Sequence, residues 1–174
     1  MTRWECHHCG ELFEWEVTPD ECPNCQSSLT FWLKAPEPSA AKDVRDHLHR
    51  IPIFFGLRDS ALADMAKAFR EVTFAAGAPI MKEGEATRSF LILTDGAVEI
   101  KRSGKLVATL VPYQFFGELA ALGLQDKRTA DIVARGECKC LVAIQSELQR
   151  VISSHPTVSS HILKEIRNRY QPDA

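Results

Sequence analysis

One stretch of this chain constrains its fold more than any other. Phe90-Leu91-Ile92-Leu93 leads through Thr94 to Asp95-Gly96, and Ala97-Val98-Glu99-Ile100 follows. Short apolar runs on either side of an Asp-Gly pair predict a strand, a hairpin turn and a second strand. The same texture continues around it. Ser103-Gly104 predicts a second turn, before a strand at Leu106-Val107-Ala108. Gly77 and Gly84 punctuate short strands near Val72–Phe74 and Ile80–Lys82, and Asp131–Val133 and Cys140–Ile144 read as strands further on.

Helices flank this β-rich centre. A short one is expected over Ala41 to His49. A second has Leu62, Met65, Ala66 and Phe69 at i, i+3, i+4 and i+7, with Asp59 or Ser60 as its cap. Ser146 and Gln149 fit a capping box for a third, which should stop near His155-Pro156. A last helix sets Val158, Ile162, Ile166 and Tyr170 on one stripe, able to pack on the barrel or on a second copy. Helix, many turn-linked strands, then helices predicts a mainly β fold, a barrel or jelly roll with flanking helices.

The N-terminal end follows other rules. Cys6-x2-Cys9-x12-Cys22-x2-Cys25 brings two pairs of thiolates toward one tetrahedral centre, which suits zinc or iron. A piece of this size cannot bury enough core to stand alone, so the metal would supply most of its folding free energy. His7 and His8 sit between ligand cysteines and read as solvated. Cys138 and Cys140, at i and i+2 of a strand, read as small buried hydrophobes. Residues 35–40, APEPSA, carry two prolines and read as a linker. The division expected is a metal ribbon over 1–34, a linker and short helix over 35–48, and the main domain over 49–174.

Charge narrows the partners. The chain carries −2 overall. Residues 1–34 hold Glu5, Glu11, Glu14, Glu16, Asp20 and Glu21 against Arg3 and Lys34, a net −4, so the remainder carries +2. Four thiolates on a divalent ion make the ribbon more negative still, whereas phosphate contacts need Lys and Arg. Nucleic acid is therefore not expected. A protein contact is, with Trp15, Phe31 and Trp32 as anchors or as the ribbon's own small core. The N-terminus lacks the apolar core of a signal peptide, and no apolar run reaches membrane length, so a cytoplasmic protein away from membranes is expected.

The stretch with the most chemistry is Phe116-Gly117-Glu118-Leu119-Ala120, with Arg128-Thr129-Ala130 following. A carboxylate accepts well from a sugar hydroxyl. A guanidinium suits a singly charged phosphate. Small residues let the backbone approach, and a short helix starting after Gly117 would aim its amides at the anion. The bland alternative is that Glu118 and Arg128 pair with each other in an empty pocket.

Two resemblances sharpen these readings. Trp4-Glu5-Cys6-His7-His8-Cys9-Gly10 and Pro19-Asp20-Glu21-Cys22-Pro23-Asn24-Cys25 resemble the knuckles of the rubredoxin-like family, over about residues 3–32. Gln26 stands where that family has glycine, and Glu11 where it has an aromatic. These glycines and amides tune an iron centre, so structural zinc is expected at Cys6, Cys9, Cys22 and Cys25, with iron as the alternative.

Residues about 50–165 resemble the cyclic nucleotide-binding domain of catabolite activators, cyclic-nucleotide-dependent kinases and gated channels. Ile53-Phe54-Phe55-Gly56-Leu57, Phe74-Ala75-Ala76-Gly77, Glu83-Gly84, Phe90 to Ile100, and the Phe116–Ala130 cassette carry the match in order. The resemblance implies that Glu118 accepts the ribose 2′-hydroxyl and Arg128 pairs with the cyclic phosphate. Gly117, Leu119, Ala120 and Ala130 would supply backbone and close approach. Thr129 would contact the phosphate and guanine, so cAMP or cGMP is the implied ligand. The chain departs from the family at Lys127, where proline is usual, and within Pro112-Tyr113-Gln114, where a turn glycine is usual.

Ligand would draw the C-terminal helices to the cassette, a population shift driven by differential affinity. The sequence shows no helix-turn-helix, kinase or pore, and no positioned nucleophile and base, so a non-enzymatic regulatory module signalling through a partner is expected. A homodimer is left open. The competing reading is an iron electron-transfer protein with an accessory nucleotide domain.

Overall fold

A computed structural model of the chain describes residues 2–6, 11–16, 21–24, 32–34, 40–86 and 89–170. The first three strands form a small antiparallel sheet. β1 (Thr2–Cys6) lies between β2 (Leu12–Trp15) and β3 (Trp32–Lys34). The Cys6 amide donates to the Glu11 carbonyl at 3.0 Å, which ties the end of β1 to the residue before β2.

Helix α1 (Ala40–Leu48) opens the second part, followed by a 3₁₀ turn (Pro52–Phe54) and α2 (Asp59–Ala68). Eight strands come next. They are β4 (Arg70–Phe74), β5 (Pro79–Met81), β6 (Phe90–Asp95), β7 (Val98–Arg102), β8 (Lys105–Leu110), β9 (Phe115–Phe116), β10 (Asp131–Ala134) and β11 (Cys138–Ala143). The short α3 (Glu118–Ala121) sits between β9 and β10, and α4 (Gln145–Ser154) and α5 (Pro156–Tyr170) close the fold. The strands form two antiparallel four-stranded sheets, β5-β10-β7-β8 and β4-β11-β6-β9. Successive strands alternate between them except at β7 and β8, which gives the expected β-rich, jelly-roll-like core with flanking helices.

The hairpin expected at Asp95-Gly96 is corrected. β6 and β7 do not pair with each other. β6 lies between β11 and β9, while β7 pairs with β10 and β8. The turn therefore carries the chain from one sheet to the other. The reason lies in the burial of β6, whose first five residues are all buried. Leu91 and Leu93 join the cluster between the sheets, with Val98, Phe116, Ile132 and Val142. Phe90 and Ile92 point the other way, into a cluster with Leu48, Phe54, Met65, Phe69, Leu148 and Ile162 from the helices. A strand covered on both faces reads as a continuous apolar run, and that run is silent about which strand lies beside it. The hairpin that does form is β7–β8, across Ser103 (φ +50°) and Gly104 (φ +77°), the pair of positive angles that a two-residue reversal requires.

Gly96 (φ +82°) is needed for a second reason. A Cβ built there would stand 2.6 Å from the Glu137 carbonyl oxygen and 2.7 Å from the Cys138 Cβ, whereas one at Gly104 meets nothing. Gly104→Ala is expected to cost about 1–2 kcal/mol, the price of a left-handed alanine. Gly96→Ala should cost about 1–3 kcal/mol more, because β11 must shift to make room. Urea unfolding midpoints of the two variants check this, and equal losses would rule out the close approach.

The helix caps are corrected too. α2 has Arg58 at its cap position and α4 has Ile144, neither with a side-chain cap bond. Asp59 falls inside the first turn of α2, where its charge faces the positive end of the helix dipole. Val158, Ile162 and Ile166 of α5 are all in the helical cluster, so this part of the stripe is covered within the chain, and the Tyr170 side chain lies outside the described residues. The joint between α4 and α5 is pinned by His155, whose Nε2 lies 2.7 Å from Asp64 Oδ2 of α2. That hydrogen bond is the main cause holding the Asp64 carboxyl below its ordinary value. Cys138 and Cys140 are buried between the sheets as expected. A hydrogen bond with Cys138, and then burial, push the Cys140 thiol well up, which keeps it an unreactive thiol.

Candidate functional site

β9 delivers the chain to Gly117 at the edge of the barrel. Gly117 has φ +80°, and a Cβ there would stand 2.6 Å from the Ser89 carbonyl oxygen and 2.8 Å from Arg128 Nη1. Only glycine lets the backbone pass so close to its neighbours. α3 starts at the next residue, so Glu118 is its first residue, and Glu118 is only 2% exposed.

Arg128 lies ten residues on and is 6% exposed. Its backbone is clamped to the turn after β5: its amide donates to the Glu85 carbonyl at 2.8 Å, and its carbonyl accepts from Gly84 at 2.9 Å. Its guanidinium turns inward. Nη1 donates to the Gly117 carbonyl at 3.0 Å, and Nη2 donates to the Ser89 carbonyl at 2.8 Å and Ser89 Oγ at 3.1 Å. Burial lowers its pKa to about 10, against the pull of Glu118 and Glu85 upward. It stays protonated at neutral pH. Two opposite charges are thus buried in one cassette, each held by protein groups.

The expected residues come together. A narrow cleft of about 40 Å³ is lined by Gly117, Glu118, Leu119, Gln125, Lys127, Arg128 and Thr129. Ala130 is buried behind it, and Thr129 is exposed at its rim. The Ala120 side chain lies outside the described residues. A larger cavity of about 610 Å³ shares Leu119, Gln125 and Thr129 with the cleft. The site can therefore accept a small ligand with an anionic end and hydroxyls, plus a bulkier group beside it.

Two participants escaped sequence reasoning. Ser89, fully buried, is a seat for Arg128. Arg169, near the end of α5, donates through Nη1 to Glu118 Oε1 at 3.2 Å and to the Phe115 carbonyl at 2.9 Å, and its guanidinium stacks 4.2 Å from the Phe115 ring centre. Ile166, one turn earlier, lines the larger cavity. The last helix thus touches the cassette directly. The signal in sequence was faint: Arg169 stands three residues past Ile166, beside the apolar stripe.

Residues 71–155 match the family model of the cyclic nucleotide-binding domain. The β-rich part of this chain has the cyclic nucleotide-binding fold. Among curated proteins, the cGMP-dependent protein kinase of Toxoplasma gondii is 32% identical over 121 residues, which is 69% of this chain but only 12% of that kinase. Among solved structures, the N-terminal domain of a transcriptional regulator from Streptomyces coelicolor A3(2) superposes with TM-score 0.62 and 29% identity, covering 73% of this chain and 94% of that one. The cAMP-bound PfPKA-R (141-441) superposes with TM-score 0.61 and 25% identity, covering 74% of this chain and 48% of that one. No helix among the described residues is long and apolar enough to cross a membrane.

In the N-terminal part of the chain, Cys6 and Cys22 are both buried and share one cluster with Trp4 and Phe13. Cys6 and Cys22 belong to different Cys-x2-Cys pairs, so one cysteine from each pair lies in the same cluster. Cys9 and Cys25, their expected co-ligands, lie outside the described residues, as do His7 and His8, the linker residues 35–39, Phe31, and the side chains of Trp15 and Trp32. Among the described residues no group of three or more His, Cys, Asp or Glu is placed to hold a metal.

Proposed function

We propose that residues 49–174 bind cAMP or cGMP and act as a cytoplasmic regulatory module, without catalysis, whose output passes to a partner protein. The observation that carries this reading is the cassette itself. A buried carboxylate and a buried guanidinium flank a glycine at φ +80°, beside a cavity with room for a base. Glu118 would accept the ribose hydroxyl. Arg128 would meet the cyclic phosphate, with the backbone of Gly117, Leu119 and Ala120, and with Thr129 and Ala130, closing round it. A carboxylate offers about four acceptor positions, so Glu118 can serve a hydroxyl and Arg169 together. A ligand at Glu118 would then be felt by α5 through Arg169, and α5 would carry the signal.

Residues 1–34 are the docking ribbon in this reading, joined through residues 35–48. Cys6, Cys9, Cys22 and Cys25 would hold zinc, which would supply the ribbon's folding free energy. Calorimetric titration of the full chain with cAMP and then cGMP tests the first part. Micromolar or tighter binding supports it, and no heat with either nucleotide, in folded protein, ends it for these ligands. Metal analysis with a visible spectrum tests the second. A colourless protein holding zinc supports the docking ribbon, and a red iron–thiolate spectrum favours electron transfer instead.

A further inference from the structure

The larger cavity is lined by Arg102, Leu119, Gln125, Thr129 and Ile166. Leu119, Gln125 and Thr129 also line the cleft of Glu118 and Arg128, so they mark the end next to the sugar and phosphate. Ile166 and Arg102 belong to the larger cavity alone. Ile166 is apolar and offers a surface for a flat ring to lie on. Among the described residues, Arg102 is the only charged group lining this cavity.

The backbone at Arg102 is well placed to hold a fixed position. It is the last residue of β7, paired with Lys105 across the tight β7–β8 turn. The Ser103 amide is tied to Glu83 Oε2 at 2.9 Å, and the Glu83 amide to Asp131 Oδ1 at 2.7 Å, so the turn is anchored to the strand that follows the cassette. The Arg102 guanidinium, in contrast, is exposed and takes no hydrogen bond or ion pair among the described residues. Its neighbour Lys101 is paired with Glu99 at 3.3 Å. A rigid stem carries a cation that takes no partner among the described residues, at the mouth of an apolar cavity.

We propose that Arg102 reads the base and makes this site prefer a purine with an oxygen at position 6, guanine above all. This rests on the cyclic-nucleotide reading of the cassette. With sugar and phosphate held at Glu118 and Arg128, the base falls in the remaining cavity, its face on Ile166 and Leu119 and its edge toward Arg102. A guanidinium only donates, through two parallel N–H groups. Guanine offers N7 and O6, two acceptors side by side, whereas adenine offers the N7 acceptor next to an amino donor. The fork finds both partners in guanine and one partner plus a repelling donor in adenine. Gln125 could serve adenine's donor–acceptor edge, but it lies at the sugar–phosphate end shared with the cleft.

The test is calorimetric titration of the full chain, wild type and variants, with cAMP, cGMP and cyclic inosine monophosphate. The last keeps O6 and N7 and lacks the 2-amino group. Wild type should bind cGMP and the inosine nucleotide at least about fivefold more tightly than cAMP. Arg102→Ala should bring all three within about twofold of one another. Arg102→Lys keeps the charge and loses the fork, so it too should shrink the ratio. All three ligands carry the same charge, so general attraction cancels from the comparison. A ratio unmoved by Arg102→Ala, a wild type that prefers cAMP, or inosine nucleotide behaving like cAMP would each overturn the assignment while leaving the nucleotide site standing. Absence of binding by all three would overturn the nucleotide site and this assignment with it.

Discussion

Arg128→Ala is expected to weaken cAMP and cGMP binding at least about thirtyfold. Truncating one member of a buried, hydrogen-bonded charge contact costs about 2–5 kcal/mol, which raises a Kd roughly thirtyfold or more. The guanidinium does two jobs. It is the only buried cation among the described residues, still charged at neutral pH with a pKa of about 10. It also supplies the donors for the Gly117 and Ser89 carbonyls. Removing it leaves those carbonyls short of a donor, at about 1–3 kcal/mol where they stay dry, so the variant should also melt earlier. Arg128→Lys separates the two jobs. An ammonium restores the charge but cannot span both carbonyls, so binding should recover in part while stability recovers less. Titration and thermal melting of both variants decide it. An alanine variant that binds like wild type would remove this cassette as the anion site.

Why could Glu118 and Arg128 be picked out from sequence when Arg169 could not? The first two lie within one 15-residue stretch beside Gly117, and their chemistry is local: a carboxylate, a guanidinium, and small residues between them. Arg169 lies 51 residues from Glu118 along the chain. An arginine beside an apolar stripe looks like any solvated helix residue until the fold brings it to Phe115. Ser89 is equally plain, one polar residue before a strand. The Asp95-Gly96 turn shows the complementary failure. Its local signal was strong and correctly marked a reversal, but pairing is a non-local property. The edges of β6 are occupied by β11 and β9, and β11 begins more than forty residues later. The helix stripes fared better, because Val158, Ile162 and Ile166 report burial directly through their spacing, and burial is what the fold used them for.

Gly117→Ala should be the most damaging single change in the cassette. At φ +80° an alanine is strained by about 1–2 kcal/mol. Its methyl would also meet three neighbours, the Ser89 carbonyl oxygen at 2.6 Å, Met81 Cε at 2.7 Å and Arg128 Nη1 at 2.8 Å. Met81 is flexible and can move. The Ser89 carbonyl is backbone at the start of β6 and cannot move without the sheet, and Arg128 is already committed to that same carbonyl. Overpacking of this kind adds about 1–3 kcal/mol, and a disturbed Arg128 contact adds about 1 kcal/mol more, for a loss of about 3–6 kcal/mol in urea unfolding. Ligand should separate strain from function. A bound nucleotide stabilises the native state by RT ln(1 + [L]/Kd), so wild type should gain in Tm with added cGMP and Gly117→Ala should gain almost nothing. A variant that is destabilised but still gains as wild type does would mean that Gly117 serves packing alone. One that melts like wild type would mean that the chain at Gly117 does not run so close to Ser89 and Arg128.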